Sequence, residues 1–109
     1  MTTKTLQVVG LLLSDPEAEW YGLQIASEAG LKSGSVYVVL ARLEQAGWLA
    51  SHWEEIDPAE EGRPRRRLYT LTGEGRRAAN EAFEQQLAAL TAARTSRAAP
   101  ARRPGMSPT

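Results

Sequence analysis

Four arginines fall within five positions: Arg63, Arg65, Arg66 and Arg67. A guanidinium is always charged and donates in a planar fork, which suits phosphate oxygens. Lys32, Ser33, Ser35 and Tyr37 form a second group, an ammonium and three hydroxyls within six positions. These too are donors of the kind that hold a phosphate backbone. Glu54, Glu55, Glu60 and Glu61 lie close enough in sequence to neutralise the arginines instead. Other chemistry is scarce. The chain has no cysteine and one histidine, so disulfides, thiolate metal sites and sites needing two imidazoles are excluded. The glutamates form a polar run rather than a paired acid and base. Lys32-Ser33-Gly34-Ser35 lacks the earlier glycine of a phosphate loop, and no G-x-S-x-G turn occurs. Catalysis, a cofactor and a metal are therefore not expected.

Charge is distributed unevenly over the 109 residues. The formal net charge is zero, with 13 basic and 13 acidic groups. Residues 1–61 hold only Lys4, Lys32 and Arg42 against ten carboxylates, whereas residues 62–109 hold ten arginines against three glutamates. A polyanion responds to local charge, so an overall balance does not argue against nucleic acid. No stretch approaches the roughly 20 apolar residues of a membrane span, and residues 8–13 are too short for a signal-peptide core. Together with the lack of cysteine, this makes a cytoplasmic location the expectation.

The elements that must position these groups can be read from periodicity. Residues 5–13 are apolar nearly all round and predict a short buried helix, with a strand as the alternative. Residues 20–29 predict a second helix with Leu23, Ala26 and Ile25 inward, ended by Gly30. After a turn with Ser33 as candidate N-cap, residues 35–46 predict a third helix. Its Val36, Val39, Leu40 and Leu43 follow the i, i+3, i+4, i+7 pattern of one buried stripe. The period then changes to two, predicting strands at 48–53 and 67–72 around a long polar loop. Trp48 and Trp53 are expected to anchor these strands on the helices. Trp20 is expected at a subunit surface or ligand cavity, and His52 on the strand surface. Thr72 is a candidate cap for a last helix reaching about Arg94. Residues 95–109, with three prolines, are expected to be disordered, leaving 1–94 as one domain. Three helices, two strands around a long loop and a final helix make a winged helix-turn-helix, an α+β but mostly helical class. Its two-stranded wing would precede a C-terminal dimerisation helix.

The chain resembles the PadR family of bacterial winged-helix transcription regulators. Four stretches carry the likeness: Tyr21-Gly22-Leu23-Gln24-Ile25, Gly34-Ser35-Val36-Tyr37, residues 40–49, and residues 62–75 across the wing. The resemblance covers residues 6 to about 90. It implies a homodimer that represses transcription at an operator, with the C-terminal helix as dimer element. The family often has proline after the tyrosine of the third helix, where this chain has Val38. The chain also ends after one helix and a tail, like the short subgroup without a large C-terminal domain. Some short members bind flat aromatic drugs through a tryptophan on the last helix. That helix has Phe83 and no tryptophan here, so drug binding is not carried over.

Double-stranded DNA is thus the expected partner. The third helix should enter the major groove N-terminal end first. Its outward face comprises Gly34, Tyr37, Val38, Ala41 and Gln45, with Ser35 and Arg42 at the margin. Val38 and Ala41 suit thymine methyls, and Gln45 or Arg42 a base edge. Lys32, Ser33, Ser35 and Tyr37 suit phosphate at the helix start. In the wing, Arg63, Arg65 and Arg66 are the candidate backbone contacts; alternation puts Arg65 and Arg67 on the face shared with Tyr69 and Leu71 and Arg66 on the other, so the four cannot all face DNA together. The first helix is too apolar to face water, and Phe83, Leu87 and Leu90 form a short seam on the last. Leu6, Val9, Leu13, Phe83, Leu87 and Leu90 are therefore the expected dimer residues. Two-fold symmetry would present two recognition helices to an inverted repeat. A small-molecule effector of unspecified identity is a further candidate partner. The rival reading is a winged helix used for protein interaction without DNA binding.

Overall fold

The computed structural model describes residues 2–106, with side chains through residue 95. Helix α1 (Thr3–Ser14) starts where Thr2 caps it, accepting from the Thr5 N–H at 3.2 Å. Val8, Val9 and Leu12 are wholly buried on one stripe, while Leu6 and Leu13 are half-buried. A two-residue strand β1 (Trp20–Tyr21) precedes α2 (Gly22–Ala29). Gly30 ends α2 at φ 70°, a left-handed conformation glycine adopts without strain. Helix α3 (Ser33–Gln45) buries Val36, Val39, Leu40 and Leu43, the stripe expected from the heptad-like spacing. The three helices pack mutually around Val8, Ile25, Val36 and Leu40.

Strands β2 (Leu49–Trp53) and β3 (Arg67–Leu71) pair antiparallel, from Leu49 opposite Leu71 to Trp53 opposite Arg67. β1 joins the free edge of β3, with Trp20 opposite Tyr69, so the sheet has three strands in the order β1-β3-β2. The sequence indicated only two, because a two-residue strand shows no periodicity. The connection carries one helical turn, α4 (Pro58–Glu61), capped by Asp57 through the Ala59 N–H at 3.0 Å. The Asp57-Pro58 pair that reads as a loop breaker is here an N-cap followed by proline in the first turn.

Several expectations are corrected. Val9 is fully buried within the chain itself, so it fills the core rather than a subunit seam. Trp20 is likewise core, 7% exposed. Trp53 is 57% exposed and Leu23 60%, whereas both were expected inward. Trp53 shares a sheet face with buried Leu49, but four residues at about 3.3 Å each carry it some 13 Å along the ribbon. Leu23 turns outward because Ile25 and Ala26 take the inner face of α2. Ser33 lies inside α3, and Lys32 is the N-cap residue, without a side-chain capping bond.

Helix α5 (Gly73–Met106) opens as expected from Thr72, whose Oγ1 accepts the Gly75 N–H at 2.9 Å and donates to the Gly47 carbonyl at 2.7 Å. It continues to Met106, past the end near Arg94 that the prolines suggested. Its alanine content favours helix across that stretch. The expected disordered tail falls on these helical residues and on 107–109, which lie outside the described residues. The chain divides into two compact units at Ala79/Asn80. The first holds α1 through the opening turns of α5; the second is the remainder of α5. No described helix is long and apolar enough to cross a membrane.

Candidate nucleic-acid interface

The residues of α3 and the wing all belong to the first unit. The outward face of α3 follows from its buried stripe. With Val36, Val39, Leu40 and Leu43 turned in, residues about half a turn away are turned out. Tyr37 is 45% exposed and Val38 52%; Ala41, Arg42 and Gln45 are also exposed. Lys32 and Ser33 are exposed at the helix start, where unsatisfied N–H groups favour an anion. Ser35 is half-buried and its Oγ accepts from Lys4 Nζ at 3.3 Å. Of the residues singled out from the sequence at and along α3, all but half-buried Ser35 are exposed.

The wing arginines separate into different roles. Arg63 is half-buried and holds Glu54 through both terminal nitrogens, at 2.7 and 3.0 Å. Glu54 also accepts the Arg66 N–H at 3.1 Å, and its own N–H donates to the Arg66 carbonyl at 2.8 Å. The Arg63 guanidinium holds the Glu54 carboxyl down at about 2, and Glu54 in turn raises the Arg63 pKa. Arg63, expected from the sequence to reach DNA, is paired with Glu54 and braces the loop at the far end of the ribbon. The acidic neighbour that could neutralise an arginine does so here, for this one.

Arg65 is exposed and is tethered by Nε to the Ile56 carbonyl at 3.0 Å, a bond that occupies one of its five donors. The Arg66 guanidinium lies over the Tyr21 ring, 4.2 Å from its centroid. Arg67 stands 5.2 Å from the Trp53 ring centroid and 3.9 Å from Glu44 Oε2. Stacking on a ring face leaves guanidinium edges able to donate.

Between α3 and the wing lies an open groove of about 490 Å³. Tyr37 and Leu23 line the helical side; Tyr21, Trp53 and the four arginines Arg63, Arg65, Arg66 and Arg67 line the wing side. No carboxylate is among the lining residues. Burial at the inner end raises the Tyr69 pKa, keeping its hydroxyl protonated. The sequence reading missed Tyr21, Leu23 and Trp53 as parts of this surface. Tyr21 was within reach, because it adjoins a glycine that opens a helix. Trp53 required the register of the ribbon. Among the described residues no group of side chains could hold a metal ion.

Comparisons with known proteins bear directly on this geometry. The sequence profile of the Transcriptional regulator PadR-like family matches residues 11–81, well over half the chain. The chain belongs to the PadR-like family. The family is one of transcriptional regulators, not of enzymes. A search of curated proteins returns no match. A PadR family transcriptional regulator from Eggerthella lenta superposes with a TM-score of 0.65 at 26% identity, over 82% of this chain and 80% of that one. A PadR-like transcription factor from Bacteroides fragilis gives 0.66 at 26%, over 85% and 87%. Reduced AbfR bound to DNA gives 0.61 at 24% identity, over 77% of this chain and 55% of AbfR, a likeness of fold. This chain spans about half the length of AbfR. The winged helix of the PadR-like family, here with a small three-stranded sheet, is the architecture these matches share.

Proposed function

We propose that this PadR-like chain is a DNA-binding transcriptional regulator, acting as a homodimeric repressor at an inverted repeat in the cytoplasm. One observation carries the reading. The open face of α3 and the wing arginines, exposed Arg65 and half-buried Arg66 among them, flank one groove whose lining contains no acid, in a chain whose overall charge is zero. A duplex backbone laid across that groove meets Lys32, Ser33 and Tyr37 on one side and Arg65 and Arg66 on the other. α3 then offers Val38, Ala41, Arg42 and Gln45 to the base edges of the major groove. Support also comes from AbfR, a protein of the same fold described as bound to DNA. Any small-molecule effector of this unit is assigned to the same groove, whose volume suits a drug-sized ligand, and would compete with DNA for Tyr37 and Arg65.

The test is a fluorescence-anisotropy titration on the chain's own upstream DNA at several salt concentrations. A dimer engaging about 6–10 phosphates gives a slope of log affinity against log salt of roughly −5 to −9. Arg65→Ala should weaken binding on all sequences and flatten that slope by about 1 per subunit engaged. A slope near zero, or a chain that binds no duplex, overturns the reading in favour of a protein-interaction module.

A further inference from the structure

Tyr37 lies on bare backbone. A methyl group placed on the Gly22 Cα would fall 2.6 Å from Tyr37 Cζ and 2.7 Å from its Oη. No side chain other than hydrogen fits beneath the ring in this position. The glycine's φ is ordinary, so the requirement is close approach and not a special backbone conformation. Gly22 is the first residue of α2, and it is itself buried. The turn before it is pinned twice. The Tyr21 N–H donates to Gln24 Oε1 at 3.3 Å, and Tyr21 pairs with Leu68 in the sheet. The neighbouring Tyr21 ring carries the Arg66 guanidinium at 4.2 Å.

We infer that Tyr21-Gly22 is a positioning junction: Gly22 seats the Tyr37 ring at the start of α3, and Tyr21 seats Arg66 of the wing. The inference rests on the proposed DNA-binding reading and adds residues that act by placing Tyr37 and Arg66. Two adjacent residues, held by one strand pair and one helix start, set the spacing between the two sides of the groove. Exposed Tyr and Arg side chains otherwise sample many rotamers, and ordering them on binding weakens affinity. A seat present in the free protein removes part of that cost.

The atoms that clash with an added methyl are the far end of a tyrosine side chain, so Gly22→Ala displaces the ring and leaves the backbone in place. Alanine is also the better helix former. Stability and binding should therefore move apart. Gly22→Ala should keep or raise the Tm while weakening operator binding about fivefold or more, the scale of one lost hydrogen-bonding group. In a Tyr37→Ala background the same change should have no further effect on binding, because there is no ring left to displace. Tyr21→Leu should likewise weaken binding, and Arg66→Ala should absorb its effect. Wild-type affinity in Gly22→Ala, or an equal loss with and without the Tyr37 ring, overturns the inference.

A second readout does not involve DNA. The Tyr37 ring current should shift the Gly22 Hα resonances, and Tyr37→Ala should abolish that shift. Unshifted Gly22 protons in the wild type refute the seat even if DNA binds. Shifted protons in a chain that binds no DNA locate the failure in the functional reading.

Discussion

Glu54 shows how one residue can redirect a cluster. It sits nine positions before Arg63, takes both terminal nitrogens of that guanidinium, and accepts the Arg66 N–H as well. Arg63 is thereby braced at the loop end of the ribbon, where it lines the groove together with Arg65, Arg66 and Arg67. Because the Glu54 carboxyl titrates at about 2 in the folded chain against an ordinary 4.5, its stabilisation is fully present above pH 4.5. It is lost as pH falls from there towards 2. Glu54→Gln should lower the Tm at pH 7 and remove part of the acid dependence between pH 5 and 2, as followed by circular dichroism melts. Arg63→Ala should lower the Tm similarly while leaving the salt slope of DNA binding closer to wild type than Arg65→Ala does. The contrast between those two arginines separates bracing from binding.

At the scale of elements, the junction between wing and α5 is tightly specified. Thr72 Oγ1 caps the helix and also donates back to the Gly47 carbonyl, tying the end of β3 to the turn after α3. Thr72→Ala should cost about 1 kcal/mol, the usual loss of an N-cap, by chemical denaturation. Gly75 lies against the Trp48 backbone, with the space for a Cβ filled by the carbonyl group and Cα of Trp48. Backbone yields less readily than a side chain, so Gly75→Ala should cost about 1–3 kcal/mol. The contrast with Gly22 is useful: the same substitution at two helix starts is expected to destabilise at one and not the other. Helix α3 is the element most legible in advance, because a 3.6-residue period over thirteen residues overdetermines its inner face. β1 was illegible for the opposite reason, two residues being too few to show a period. The partners of the wing arginines were undecidable by spacing alone, since four glutamates were within reach and only folding selects Glu54.

At the scale of the whole molecule, the proposed homodimer needs an apolar seam. Leu87 and Leu90 are 66% and 55% exposed on the second unit, and single-chain packing does not use them. They remain the proposed seam of the second unit, with Phe83 as its half-buried member; Leu6 and Leu13, half-buried in the first unit, are proposed dimer residues in their own right. Changing Leu87 and Leu90 to Glu together should yield a folded monomer by sedimentation velocity, with loss of specific DNA binding. A dimer that survives both changes would move the seam elsewhere. Val9 is excluded from that seam by its place in the core.

Periodicity, punctuation by glycine and proline, and charge placement were enough to establish three helices, a β-ribbon and a basic wing, because those signals are local and repeat. They also identified the outward face of α3, since burying one stripe exposes the opposite one. Which arginine is free, which aromatic is core, and what lies beneath Tyr37 depend on groups far apart in sequence meeting in space. Only the packed chain brings Gly22 under residue 37 and Tyr21 under residue 66, and no spacing rule links those positions.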